Sequence, residues 1–387
     1  MSATSVGGDQ YTLTEEQRDF RDVIRQLVSQ RIAPRAAEID ATGEFPHDIA
    51  KLLAEQDLLG LPFDERHGGT GTGALMLCVA IEEIAKACAS SSLILAVHDL
   101  GTLPIRLAGS AAMQDRVLPR YASGEWLAAF ALSEPDAGSD AGGMRTNAVR
   151  RGDTWVLNGT KNWITNAGVA AAYIVFAVTD RSVSYSRGIT AFLVEADRPG
   201  FAVAKLEHKM GMRGSPTGQL TFDDVELTDD DVIGTPGEGF KIAMRTLDHS
   251  RLGIAAQALG IAQGATDYAA AYARERTAFG KPINELQGIQ FKLADMETRC
   301  AAGRELLYAA AARADRHAPD LGKYSAMAKL FCSDAAMDVT VEAVQVLGGY
   351  GYVTEYPVER MMRDAKLTQI YEGTNEIQRL VIGRSLR

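Results

Sequence analysis

The spacing of apolar residues changes period twice along these 387 residues. From Thr14 to about Gly124 the spacing is helical, with Phe20, Val23, Ile24, Leu27 and Val28 recurring three and four positions apart. Thr14 before Glu15, Glu16 and Gln17 predicts a helix start with acids in its first turn. Phe45, Pro46, His47 and Asp48 restart a helix through Leu59. Residues 68–73 read as a loop, 74–89 and 93–107 as two further helices. From Trp126, short runs rich in Val, Ile, Phe and Trp alternate with Gly, Asp and Asn, which predicts an antiparallel β-domain. Its expected strands include 155–157, 169–178, 188–195, 201–206 and 219–225. Arg150 to Asp153, Pro199-Gly200 and Asp223-Asp224 are the expected turns. From about Thr235 the helical period returns, near Glu238 to Arg276, after Asn284, and from Lys323 to near Leu347. The expected fold is mainly α with a central β-domain. It divides into N-terminal helices (1–125), a middle β-domain (126–234) and a C-terminal four-helix bundle (235–387).

Charge removes some functions. There are 40 Lys and Arg against 50 Asp and Glu, a formal net charge of −10. Sequence-independent nucleic-acid binding needs an excess of cations, so no nucleic-acid partner is expected. Cys78, Cys88, Cys300 and Cys332 show no CxxC spacing, and no HExxH occurs, so neither a structural zinc site nor a catalytic metal is expected. The most apolar stretch, 169–178, has ten residues and reads as a buried strand rather than a membrane span. The N-terminal residues 1–17 carry neither a basic segment nor an apolar one of the secretory type, and the first arginine is Arg18. A bacterial cytoplasmic protein is expected, with a mature mitochondrial-matrix form as the less favoured alternative.

Four segments carry chemistry. Ala131-Leu132-Ser133-Glu134-Pro135-Asp136-Ala137-Gly138-Ser139-Asp140 follows a strand and offers backbone N–H groups and hydroxyls to a polar ligand, or is an ordinary turn. Asn158-Gly159-Thr160-Lys161-Asn162-Trp163-Ile164-Thr165 opens on a hairpin signal. It then places Trp163 and Thr165 on one strand face, suited to a stacked heteroaromatic ring or to a β-core. Gln345-Val346-Leu347-Gly348-Gly349 sets paired glycines after a helix, for close backbone approach or as a C-cap. In Ile370-Tyr371-Glu372-Gly373-Thr374-Asn375-Glu376, Thr374 suits a helix cap, with Glu376 or Gln378 nearby. Glu372 is a general base if its carboxylate is desolvated, or a solvated capping residue if not.

Together these segments resemble the signatures of the acyl-CoA dehydrogenase family, over nearly the whole chain from Tyr11. Residues 131–143 match its first signature position by position, and 345–364, with Arg360, Arg363 and Asp364, its second. The resemblance implies a barrel-like middle domain and a non-covalent FAD between it and the C-terminal bundle. Phe130, Leu132, Ser133, Trp163 and Thr165 match flavin-contacting positions, and Ser139 one that contacts cofactor and acyl-CoA. Arg276, Phe279 and Gln287 match a neighbouring subunit's hold on the diphosphate and adenosine. Gln345, Gly348 and Gly349 match the dinucleotide loop, and Thr374 and Glu376 further cofactor positions. A homotetramer, as a dimer of dimers, follows from such shared sites.

Glu372 matches the family's catalytic base. A thioester α-C–H is a very weak acid, so its removal needs a positioned base and donors for the enolate oxygen. The resemblance implies the Glu372 backbone N–H and a ribityl hydroxyl as those donors, hydride transfer from the β-carbon to FAD N5, and a trans-2-enoyl-CoA product. Some relatives carry the base on the long helix, one residue before an arginine; here Ser250 precedes Arg251, so Glu372 keeps that role. Asp248, Arg251, Tyr371, Gly373 and Arg384 match substrate-contacting positions.

Gln257 and Thr368 match residues that close a short acyl pocket, and 247–295 and 345–379 most resemble short-chain and short-branched-chain members. No Lys or Arg stands between Lys86 and Arg106, where a dicarboxylyl-CoA enzyme of the glutaryl type places its arginine. A short neutral acyl-CoA is therefore expected, with electrons passing to electron-transfer flavoprotein. The competing readings are an O₂-using oxidase or monooxygenase of the same superfamily, and a flavin-bound scaffold. Glu372 and the chain length disfavour the first; Glu372 and the acidic charge disfavour the second.

Overall fold

The computed structural model describes residues 13–387. Residues 1–12, on which the leader reading and the start of the resemblance at Tyr11 fall, lie outside them. Thr14 caps α1 (Glu15–Leu27) reciprocally: its hydroxyl accepts from Gln17 N–H, and the Gln17 side chain accepts from Thr14 N–H. One π turn and one 3₁₀ turn lead to α2 (Ala36–Thr42). The N-terminal helices continue with α3 (His47–Glu55), α4 (Gly73–Ala85), α5 (Ala89–Ala108) and α6 (Ala111–Ala122). The strands are β1 (Ala128–Ala131), β2 (Asn147–Arg151), β3 (Thr154–Thr165), β4 (Ala172–Val178), β5 (Ile189–Glu195), β6 (Phe201–Leu206), β7 (Thr217–Leu227) and β8 (Val232–Ile233), with the short α7 (Tyr185–Gly188) before β5. Then come α8 (Gly239–Glu275), a small β9–β10 hairpin (Thr277–Ala278, Lys281–Pro282), α9 (Gln287–Asp315), α10 (Leu321–Leu347), α11 (Pro357–Thr368) and α12 (Asn375–Arg384).

The sheet runs β6-β7-β3-β2-β4-β5-β8, and β1 pairs with β4 in parallel. The β-domain is thus not wholly antiparallel, as the sequence had suggested. Tyr173, Val175 and Ala177 of β4 share a core with Trp155, Leu157, Leu220 and Phe222 across the curled sheet. The alternate residues Ile174 and Phe176 pack against residues of α5, α6 and α8. β4 is buried on both faces, which is why it reads as one apolar run. A second, larger core joins α4 and α5 to α8, α9, α10 and α11. Among the described residues, no helix is long and apolar enough to cross a membrane.

Several expected boundaries are displaced. α3 stops at Glu55 rather than Leu59, because Asp57 turns the chain at φ 55°. The break between α4 and α5 falls at residues 86–88, so α5 begins before Leu93. Arg150 and Arg151 belong to β2, and the turn is Gly152-Asp153 alone, with Gly152 at φ 61°. Asn158-Gly159 is no hairpin. It lies inside β3 at a register shift against β7, where the Asn158 amide bonds Asp224 in both directions. Gly159 has φ 146°, and a Cβ there would lie 2.5 Å from Thr146 Oγ1. Asp223-Asp224 likewise bulges within β7 rather than ending it, with Asp224 at φ 46°.

Candidate functional site

Glu372 sits between α11 and α12 with φ 51°, a left-handed conformation that costs a non-glycine residue about 1–3 kcal/mol. Gly373 follows at φ 88°. Thr374 caps α12, accepting from Ile377 N–H, as its sequence context predicts. The turn is tied from two sides. Gln378 Nε2 donates to the carbonyls of Glu372 (3.3 Å) and Gly373 (2.8 Å). Lys329 Nζ of α10 donates to Gly373 O and Asn375 Oδ1, each at 2.9 Å. The Glu372 backbone N–H has no hydrogen-bond partner among the described residues and is free to donate to a ligand.

The Glu372 carboxylate meets α8, where Ser250 Oγ donates to Oε2. Next to Ser250, buried Arg251 pairs with Asp248 at 2.6 Å, and its Nε has no partner. Burial pushes the Glu372 carboxyl up to about 7, against the Ser250 hydrogen bond and the Arg251 charge. Two turns further along α8, fully buried Gln257 donates to Ala89 O (2.9 Å) and Ser92 Oγ (3.0 Å). Its Oε1 accepts from Tyr371 OH. Buried Thr368 turns its hydroxyl onto Ala365 O, 2.7 Å away. The first half of α8 therefore gathers Asp248, Ser250, Arg251 and Gln257 with Tyr371 and Glu372.

The β-domain reaches the same half of α8. Leu132 and Phe130, whose ring lies tilted against Phe176 with centroids 5.0 Å apart, share an apolar cluster with Met244 and Leu247 of α8. Ser133 O accepts from Asn162 N–H at 2.9 Å. Trp163 stands 59% exposed at φ 62°, and Thr165, two positions on, also keeps partial exposure while Ile164 is buried. Exposed Trp163 beside Asn162, whose buried Oδ1 has no partner, leaves a flat apolar and polar surface that fits a flavin ring. Ser139 lies on an exposed loop.

A separate groove of about 580 Å³ lies at the C-terminal end of α8. Arg276, Phe279, Gly348 and Gly349 line it with Tyr272 and Tyr350. The Arg276 guanidinium lies 5.5 Å from the Tyr350 ring centroid and makes no ion pair among the described residues. Phe279 is 92% exposed at φ 53°. A Cβ at Gly348 or Gly349 would meet nothing within 4 Å. A free cation, exposed aromatics and open glycine backbone fit a dinucleotide's diphosphate and adenosine. Gln287 and Gln345 are exposed nearby, at the start of α9 and the end of α10. Ser250 and Arg276 are 26 positions apart on or just beyond one helix, about 39 Å at the α-helical rise. The structure does not bring the Arg276 groove and Glu372 of one chain together. Arg384 and Glu376 are exposed on α12.

Sequence reasoning had missed a second buried pair. Lys161, fully buried on β3, donates to Glu134 Oε1 (2.8 Å) and Leu132 O (3.0 Å). Glu134 also accepts from Arg145 and Thr146 N–H. Burial pushes the Lys161 ammonium down to about 8, against the attraction of Glu134. The signal was Lys161 as the one charged residue of β3, whereas Glu134, in a turn with Asp136 and Asp140, gave none. Lys329 had a similar signal: it lies in an apolar helix with serines, not acids, at i±4.

Residues 14–125 match the acyl-CoA dehydrogenase N-terminal domain, 129–225 its middle domain and 237–387 its C-terminal domain. The chain is 50% identical over 378 residues to the probable acyl-CoA dehydrogenase FadE25 of Mycobacterium tuberculosis, covering 98% of this chain and 97% of that one. Butyryl-CoA dehydrogenase from Megasphaera elsdenii superposes with a TM-score of 0.95 at 44% identity, covering 97% of this chain and 99% of that chain. A chain from the structure of the electron transferring flavoprotein of Acidaminococcus fermentans gives 0.95 at 43% identity, with the same coverage. Three matched domains in order, across nearly the full length, establish that the chain belongs to the acyl-CoA dehydrogenase family of FAD-dependent oxidoreductases.

Proposed function

We propose that this protein dehydrogenates a short straight or branched acyl-CoA to the trans-2-enoyl-CoA, with Glu372 as the base and electron-transfer flavoprotein as the acceptor of its electrons. The observation that carries the reading is the Glu372 turn: a carboxylate raised to about 7, beside a half-satisfied Arg251. Ionised Glu372 accepts the α-proton. Its unpaired N–H is available to the thioester oxygen as negative charge develops there. Arg251 offsets the charge of the ionised base, and Asp248 holds Arg251 in place.

Leu132, Ser133, Trp163 and Thr165 would hold the flavin ring, and Arg276 with Gly348 and Gly349 the dinucleotide end. Bound FAD supplies the acceptor for the β-hydride. The distance along α8 supports sites shared between subunits, because Ser250 beside Glu372 and the Arg276 groove of the same chain lie about 39 Å apart along the helix. We assign the Arg276 groove to a neighbouring chain's FAD, and hence the assembly to a homotetramer. Gln257, locked between Ala89, Ser92 and Tyr371, supports a closed, short acyl pocket.

An acyl-CoA panel of increasing length and branching, with a dye acceptor, tests the substrate. Turnover is expected with butyryl-CoA or isobutyryl-CoA and is expected to fall with long chains; preference for long chains would overturn the pocket reading. Rapid reoxidation of the reduced enzyme by air, with no response to electron-transfer flavoprotein, would replace the dehydrogenase reading by an oxidase.

A further inference from the structure

The clamp on the strained turn has a charged member. Lys329 is fully buried, and α10 offers it no acid at i±3 or i±4. A buried ammonium is costly without specific partners. Its hydrogen-bond acceptors are Gly373 O and Asn375 Oδ1, both in the segment that carries Glu372. Ser333, one turn on, donates to the same Asn375 oxygen at 3.1 Å, and Asn375 Nδ2 donates to Asp334 at 2.7 Å. Gln378 holds the same turn from α12 with a neutral amide.

We propose that Lys329 is a positioning residue for the Glu372 base, fixing the left-handed turn through Gly373 and Asn375 while its ammonium brings a positive charge to the segment that carries the carboxylate. The inference rests on Glu372 being the base. Two effects follow from one side chain. The tie sets where the carboxylate and its N–H point, at a φ that the backbone alone disfavours. The charge favours the ionised base. The charged groups around this centre are Arg251 from α8, Lys329 and Asp334 from α10, Glu376 from α12, and Asp99 of α5, whose charge opposes ionisation of Glu372 while Arg251 and Lys329 favour it. Lys329 and Arg251 are the cations in that set. Burial pushes Lys329 down to about 7, against the attraction of Glu372.

The test compares Lys329→Met, Lys329→Arg and Gln378→Leu in the FAD-loaded enzyme, with Glu372→Gln as the reference for loss of the base. Lys329→Met should lower kcat on the order of 100-fold, the scale of a misplaced catalytic group, with KM little changed. It should also move the acidic limb of kcat/KM, where the Glu372 carboxylate protonates, to higher pH. Gln378→Leu should lower kcat without moving that limb, because it loosens the turn and removes no charge. Lys329→Arg should return the limb toward the wild-type pH. A Lys329→Met enzyme with the wild-type pH profile would overturn the proposal, whether kcat fell or not. If that variant does not fold, wild-type kcat in both Lys329→Arg and Gln378→Leu would overturn it instead, and a lowered kcat in both at unchanged FAD content would support it. A wild-type enzyme inert toward every acyl-CoA would instead remove the reading on which the inference rests.

Discussion

Glu372 combines a backbone angle, an orphan N–H and a desolvated carboxylate in one residue. A carboxyl raised to about 7 is protonated below that pH and cannot accept the α-proton. The account therefore predicts that kcat/KM, which reports the free enzyme, falls as pH drops through about 7. A profile flat through neutrality would contradict the desolvation. The residue itself was legible, because its segment pairs a carboxylate with a following glycine and a helix cap. The hydroxyl that meets it was not. Ser250 is 122 positions away, and only the packing of α8 under the turn brings the two together.

At the scale of elements, helices were read more closely than strands. α8 runs Gly239–Glu275 against an expectation of Glu238 to Arg276, because a long helix averages its signal over many turns. Asn158-Gly159 misled because a two-residue turn signal is local, whereas β3 is held by β2 and β7 on either side. The glycine is needed for another reason: the backbone of β3 passes close to Thr146. Gly159→Ala should destabilise the protein by about 1–3 kcal/mol, the usual cost of forcing extra volume into a packed position. Urea unfolding measures it, and an unchanged midpoint would show that the bulge tolerates a side chain. The parallel β1–β4 pair was also invisible, since sequence periodicity does not report strand direction.

At the scale of the whole molecule, the acidic charge of −10 coexists with an uncommitted arginine in the Arg276 groove and a half-satisfied one beside Glu372. These local cations suit an anionic cofactor and thioester on an acidic body. On the proposed sharing between subunits, the separation of the two sites along α8 would make the assembly part of the active site. Arg276→Ala should lower FAD content after gel filtration while leaving the fold intact by circular dichroism; full FAD retention would count against sharing between subunits. Domain order was legible from the two changes of period, whereas the sharing of a site between subunits was implied by the resemblance alone, because sequence spacing carries no information on distance across an interface. The most direct measurement mixes the FAD-loaded protein anaerobically with butyryl-CoA or isobutyryl-CoA and follows the flavin absorbance. The account predicts bleaching in the wild type and loss of most of it in Glu372→Gln at unchanged FAD content. Full bleaching in that variant would contradict the assignment of the base.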